Sequence, residues 1–187
     1  MIRVLSISAF VLFLCGHPAY GQQSQLGEEH DHNSDQPSAA DYPDDSPNWI
    51  SMEEAVAAAK ADGDIVLIHA YAPWCGWCRE LDSVTYTNDA VQNYLADHYE
   101  VTRLDVENDT QIEFFGGWVT MRELGMAFDV TSTPTTIFMD ADGNYITKAP
   151  SFFPPDQFLL VLRYVKEQAY DMMSFGDYVE MIRASEG

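Results

Sequence analysis

Cysteine is scarce in this chain, three in 187 residues: Cys15, Cys75 and Cys78. That is too few for a multi-bridge disulfide scaffold and too few for a four-thiolate zinc site. Basic residues are scarce too. Nine Lys and Arg stand against 30 Asp and Glu, a formal charge of −21, which argues against any general phosphate-binding surface because nucleic acid and anionic lipid would both be repelled. No internal repeat at a solenoid period is visible, and the apolar run Val4 to Cys15 falls well short of the ~20 residues that span hydrocarbon. Apolar side chains, by contrast, are plentiful. At 47% apolar and 13% aromatic the chain can build one sizeable core, which excludes disorder throughout.

The N-terminus bears on which cysteines stay together. Arg3 precedes the apolar run, and Ala19-Tyr20-Gly21 offers small residues at the two positions a signal peptidase reads. A signal peptide over residues 1–21 is expected, cleaved after Gly21; a lipoprotein signal would want a small residue before Cys15, where Leu14 stands. Cleavage discards Cys15 and leaves Cys75 and Cys78 in an oxidising compartment, periplasmic or otherwise exported. Residues 22–48 hold almost no apolar side chain and no Lys or Arg, so they bury too little to offset their ordering entropy and read as a disordered acidic leader. His30 and His32 lie there among Glu28, Glu29 and Asp31. Such a cluster could hold a metal ion loosely, but a solvated tail is the plainer reading and no metal site is assigned.

Ser51-Met52-Glu53-Glu54 spells a capping box opening an Ala-rich helix that stops near Gly63. Ile65 to Tyr71 is too continuously apolar for a half-exposed strand and suits a buried, central, parallel one. A short helical stretch from Arg79 to about Ser83, a helix from Asp89 to His98 and a strand from Glu100 to Val106 follow. Glu107 to Gly117 reads as a loop with aromatic residues, before a helix from about Thr120 to Phe128. Thr135 to Met139 and Tyr145 to Lys148 flank Asp142-Gly143, a hairpin signal, and Phe158, Leu159, Leu162 and Val165 recur at helical spacing between Asp156 and Gln168. The order defines an α/β domain over residues 49–187, with parallel central strands and an antiparallel edge. Parallel neighbours end on the same side. The loop after Val106 is therefore expected to carry Phe114, Phe115 and Trp118 to the Cys75 face, as a docking patch or as cover for the core.

Chemistry concentrates at Cys75-Gly76-Trp77-Cys78, where a buried strand ends and a helix begins. A cysteine at a helix N-terminus meets unpaired amides and the positive end of the macrodipole, which favour its thiolate below the usual thiol pKa of ~8.5. A second cysteine three residues on is one turn away. Such a pair can attack a disulfide, form a mixed disulfide and resolve it internally. A static structural disulfide and half of a metal site are the other readings of the same spacing.

Tyr71-Ala72-Pro73-Trp74-Cys75-Gly76-Trp77-Cys78 resembles the active-site segment of the thioredoxin superfamily, in which Trp-Cys-Gly-x-Cys follows the same kind of strand. Thr133-Pro134 resembles its second hallmark, a cis-proline facing the dithiol. Two motifs in that order across roughly Trp49 to Gln168 imply the thioredoxin fold, a central mixed sheet flanked by helices. Phe152-Phe153-Pro154-Pro155-Asp156 and the long connection before Thr133 are more similar to exported bacterial members than to cytosolic thioredoxin.

The resemblance implies an exported thiol–disulfide oxidoreductase. Cys75 would be its nucleophile, Cys78 its resolving thiol, and Thr133 would pair with substrate backbone beside Trp74, Gly76, Trp77 and Pro134. No cofactor is implied beyond the Cys75–Cys78 disulfide. The implied partners are protein thiols and disulfides and a membrane-borne electron donor, the chain itself acting as a monomer. Gly76-Trp77 stands where thioredoxins carry Gly-Pro and isomerases Gly-His, which leaves reductase open against oxidase or isomerase. Glu80, Asp82 and an acidic surface, opposing extreme thiolate stabilisation, favour the reductase. A binding module with a locked disulfide is the rival class. His69 stands where relatives usually carry a buried Asp or Glu; within so apolar a run it is expected buried and neutral, either taking the Cys78 proton or serving as a core histidine.

Overall fold

The computed structural model describes residues 47–185; the expected signal peptide, nearly all of the expected leader and the His30/His32 cluster lie outside the described residues. Helix α1, Met52–Asp62, starts at the capping box: Ser51 Oγ accepts from the Glu54 amide at 3.2 Å, and the Glu54 carboxylate accepts from the Ser51 amide at 3.0 Å. It ends at Gly63, whose φ of 76° is a left-handed position that glycine takes at little cost. Strand β1, Ile65–Tyr71, then runs through the middle of the molecule, followed by α2 (Gly76–Glu80), a π-helical turn (Leu81–Thr85), α3 (Asp89–His98) and β2 (Tyr99–Asp105). The chain continues as β3 (Gln111–Phe114), β4 (Gly117–Thr120), α4 (Met121–Ala127), β5 (Thr135–Met139), β6 (Tyr145–Pro150) and α5 (Pro155–Lys166). A 3₁₀ turn, Ala169–Asp171, and α6, Phe175–Ser185, close the described chain.

The main sheet has the order β2-β1-β5-β6, with β1 parallel to β2 and antiparallel to β5, and β5 antiparallel to β6. Strand alternation divides the core. Val66, Ile68 and Ala70 face a layer with α1 and Leu124 of α4, while Leu67, Tyr99, Val101 and Phe138 pack with Leu95 of α3 and Phe158 and Leu162 of α5. Each fully buried Leu or Phe side chain contributes about 1.5–3 kcal/mol by transfer from water. Residues 47–50 form a strap along the outer edge of β2, where the Ile50 amide donates to Val101 O at 3.1 Å and Thr102 Oγ1 donates to Ile50 O at 2.8 Å. That edge is thereby covered.

Four expectations need correction. The segment read as a loop, Glu107 to Gly117, holds β3 and continues into β4, an antiparallel hairpin that turns through Phe115 and Gly116, both with positive φ. Val106 does pack with Cys75 and Cys78, so the segment leaves on the dithiol face, but β3 then runs back along α1, its Glu113 amide donating to Glu53 Oε1 at 2.8 Å. Its tip lies at the other end of the sheet, Phe115 beside Gly143 in the β5–β6 turn and Lys60 near the end of α1. Phe115 is therefore not beside Cys75. The expected helix from Arg79 to Ser83 begins earlier, at Gly76, and its π turn runs on to Thr85. Residues after Gln168, for which no element was expected, form α6, anchored by buried Tyr178 donating to Glu167 Oε2 at 2.8 Å.

Candidate active site

Topology brings the two sequence motifs to one end of the sheet. Strand β1 delivers Cys75 just past its C-terminus; β5 runs the opposite way, with Thr135 opposite Ala70, so Thr133 and Pro134 immediately before it reach the same end. The Thr133–Pro134 peptide is cis. Cys75 caps α2: its Sγ accepts from the Cys78 amide at 3.1 Å, and its carbonyl accepts from the amides of Cys78 and Arg79 at 3.2 and 3.3 Å. Cys75 and Cys78 are joined in a disulfide and both are buried. Trp74 and Trp77 beside them are 61% and 64% exposed. A groove opens next to Trp77, floored by Thr133 and Pro134 and walled by Ser151 and Phe152, with the Trp77 and Phe152 rings 5.7 Å apart. Thr85 Oγ1 donates to Phe153 O at 2.6 Å, tying that wall to the helix that follows the dithiol.

Behind the dithiol the sheet carries a buried polar cluster. In the β1–β2 register His69 lies beside Arg103, and across β1–β5 it lies beside Thr136, so all three occupy one row on the face toward α2 and α5. His69 is fully buried between the rings of Trp49, Tyr71 and Tyr86, at centroid distances of 6.0, 5.9 and 5.2 Å. Its two ring nitrogens have no hydrogen-bond partner among the described residues. Burial, reinforced by the Arg103 charge, holds its pKa well below the ordinary 6.5, so the expected neutral imidazole is the form present near neutral pH.

The residue that sequence reasoning misplaced is Asp82. The sequence offers it, with Glu80, only as negative potential just beyond Cys78, yet it is fully buried, ion-paired to Arg103 and 3.7 Å from His69 Nε2. Burial raises its pKa, and the charge and hydrogen bond of Arg103 oppose that rise. A signal was available: Cys78, Leu81, Asp82 and Thr85 fall at i, i+3, i+4 and i+7, and all four are buried. A carboxylate on such a stripe needs a partner, and Arg103 of β2 supplies it. A buried carboxylate thus stands in the π-helical turn, four residues beyond Cys78.

A dithiol capping a helix beside a groove, on this sheet, defines the class: a thiol–disulfide oxidoreductase with the thioredoxin fold. A family model for the thioredoxin-like domain matches residues 52–166, and the chain belongs to that family. Among curated proteins it is similar to the thiol:disulfide interchange protein DsbD of Ralstonia nicotianae, 34% identical over 113 residues that make up 60% of this chain and 17% of that protein. The DsbD of Yersinia pestis is 33% identical over 107 residues, 54% of this chain and 16% of the relative. The chain thus spans about a sixth of the length of these relatives. Among solved structures, a DsbH oxidoreductase superposes with a TM-score of 0.53 at 18% identity, covering 72% of this chain and 93% of the other. A thioredoxin from Thermus thermophilus gives 0.52 at 24% identity, covering 64% and 87%. These likenesses show the fold. No helix among the described residues is long and apolar enough to cross a membrane.

Proposed function

We propose that this chain is an exported reductase of protein disulfides, with Cys75 as the attacking thiol and Cys78 as the resolving one. The observation that carries the reading is the position of Cys75 as the cap of α2, its sulfur already accepting an amide hydrogen bond at 3.1 Å. Amides aimed at a sulfur stabilise its thiolate. The Cys75 thiolate attacks a substrate disulfide and releases the first substrate thiol. Cys78 then loses its proton to the buried His69–Asp82 pair and attacks Cys75 Sγ, forming the Cys75–Cys78 bond, breaking the mixed disulfide and releasing the second substrate thiol. The substrate gains two electrons and the dithiol loses two. Thr133 offers its backbone to the extended substrate, and Trp74, Trp77 and Pro134 shape the groove, with Gly76 allowing the close turn between the cysteines.

The exchange runs on the two sulfurs without an added cofactor. The chain acts as a monomer, and it must be reduced again after each turnover. The names of the DsbD relatives, which describe disulfide interchange, support a thiol-carrying protein partner, and we assign that part to a membrane-borne electron donor. The reducing direction is supported by the buried carboxylate of Asp82, four residues beyond Cys78, and by the acidic composition, both of which disfavour the extreme thiolate stabilisation a strong oxidant needs. Equilibration of Cys75–Cys78 with a glutathione buffer tests direction: a potential nearer about −270 mV supports the reductase, and one nearer about −120 mV overturns it in favour of an oxidase. Roles are tested by trapping. Cys78→Ser should accumulate mixed disulfides through Cys75, whereas Cys75→Ser should not react; two equally slow thiols would instead indicate a binding module with a locked disulfide.

A further inference from the structure

One residue of the groove has a backbone that its side chain does not suit. Ser151 takes a φ of 127°. The other non-glycine residues with positive φ, Phe115, Asp129 and Gln168, sit at 50, 52 and 54°, within the small left-handed region open to L-residues; among the described residues Ser151 alone lies beyond it. Glycine takes such an angle freely, and a side chain there costs strain. The turn itself is accounted for. Pro150 pairs with Thr135 at the end of β6, the Ser151 amide donates to Pro134 O at 3.0 Å, and Thr85 Oγ1 donates to Phe153 O at 2.6 Å. Both neighbours of Phe152 are thereby tied, and its ring is presented to Trp77. Glycine at position 151 would make the same turn with the same amide, so the geometry explains the backbone and leaves the serine side chain without a reason. That side chain is exposed, and its hydroxyl has no hydrogen-bond partner among the described residues. It lines the groove with Trp77, Thr133, Pro134 and Phe152, and no lining residue carries a charge. Two carbonyls there are already engaged, Pro134 O by the Ser151 amide and Ser132 O by Thr135 Oγ1 at 2.7 Å.

We propose that Ser151 is a specificity-determining residue: its hydroxyl hydrogen-bonds, from the groove wall, the backbone of an extended polypeptide, so that the dithiol selects disulfides carried on protein chains over small-molecule disulfides. The inference rests on the reading of this groove as the substrate site given above. A polypeptide that leaves water for the groove needs partners for its amides and carbonyls. With no charge in the lining, those partners are neutral donors and acceptors. Thr133 on the floor meets one edge of the chain, and a hydroxyl on the wall can donate or accept at another. A small disulfide has no backbone to offer, which is why the hydroxyl discriminates. Strain at a site residue is then offset by what its side chain does for binding, the usual setting in which a local conformational rule is broken.

The test compares Ser151→Ala, which keeps the strain and loses the hydroxyl, with Ser151→Gly, which loses both. Reduced protein is mixed with a rising excess of a peptide disulfide in single turnovers, giving a half-saturating concentration and a limiting rate. Both variants should raise the half-saturating concentration about 3–10-fold with the limiting rate at its wild-type value, the signature of lost binding. Their preference for the peptide over dipyridyl disulfide should fall by the same factor. In urea, Ser151→Gly should raise the unfolding midpoint and Ser151→Ala should not. An unmoved half-saturating concentration in Ser151→Ala overturns the proposal, as does a rise confined to Ser151→Gly, which would make wall rigidity the cause. An equal loss on both disulfides also overturns it, by placing the effect on Cys75, and so does a midpoint that Ser151→Gly fails to raise, because the strain would then be absent. Failure of the underlying reading is distinguishable: the reduced wild-type protein would leave the peptide oxidised, and Cys78→Ser would accumulate no mixed disulfide.

Discussion

The reversal of the β3–β4 hairpin can be tested at a point far from any cysteine. Gly143 has a φ of 88°, and a Cβ built there stands 2.5 Å from Cζ of Phe115 and 2.8 Å from its two Cε atoms. Alanine at a left-handed position costs about 1–2 kcal/mol through backbone strain. The ring must also move, and it is held by Lys60 Nζ at 4.5 Å from its centroid and by Phe114 edge-on at 4.9 Å. At 37% exposure the ring can swing outward, so the added cost is the loss of those contacts, about 1–2 kcal/mol. Gly143→Ala should therefore destabilise by about 3 kcal/mol in the wild type but only about 1–2 kcal/mol in a Phe115→Ala background. Urea unfolding of the oxidised protein at the four corners of this cycle, with constant m, gives the coupling directly. A coupling below about 0.3 kcal/mol would refute the placement of the hairpin tip on the β5–β6 turn.

Two further outcomes separate the dithiol end from the rest. Trp77→Ser should lower kcat/KM on a protein disulfide by about tenfold, since its ring walls the groove with Phe152, whereas Phe115→Ser should leave turnover unchanged; equal effects in steady-state assays would contradict the geometry. His69 bears on acid stability. Its pKa is depressed in the fold, so the unfolded chain binds a proton below about 6.5 that the folded chain does not, and wild-type stability should fall by up to about 1.4 kcal/mol per pH unit as pH drops below 6.5. Asp82, with its pKa raised above 3.8, acts in the opposite sense, because the folded chain binds its proton first. The difference between wild type and His69→Phe removes the Asp82 contribution, and urea midpoints between about pH 7 and 5 should show a flatter profile for the variant; parallel profiles would mean that His69 titrates normally.

Much of this molecule is legible in the linear chain because its cues are local. The Ser51/Glu54 capping box, the apolar run Ile65–Tyr71, the Asp142-Gly143 turn and the spacing of Cys75 and Cys78 each act within a few residues, and each lies where its local physics puts it. The resemblance implies that Pro134 faces the dithiol, and the antiparallel course of β5 against β1 is the reason it reaches that end of the sheet. What only tertiary structure decided depends on residues far apart in sequence. β3 and β4 are short, and it is packing on α1 and the β5–β6 turn that sends Phe115 away from the dithiol. Asp82 looks like one more acid in a chain with 30 Asp and Glu, until Arg103 and His69, on two different strands, enclose it. Charge along a sequence reports how many ionisable groups there are; whether one is solvated or buried against a partner is a property of the assembled core.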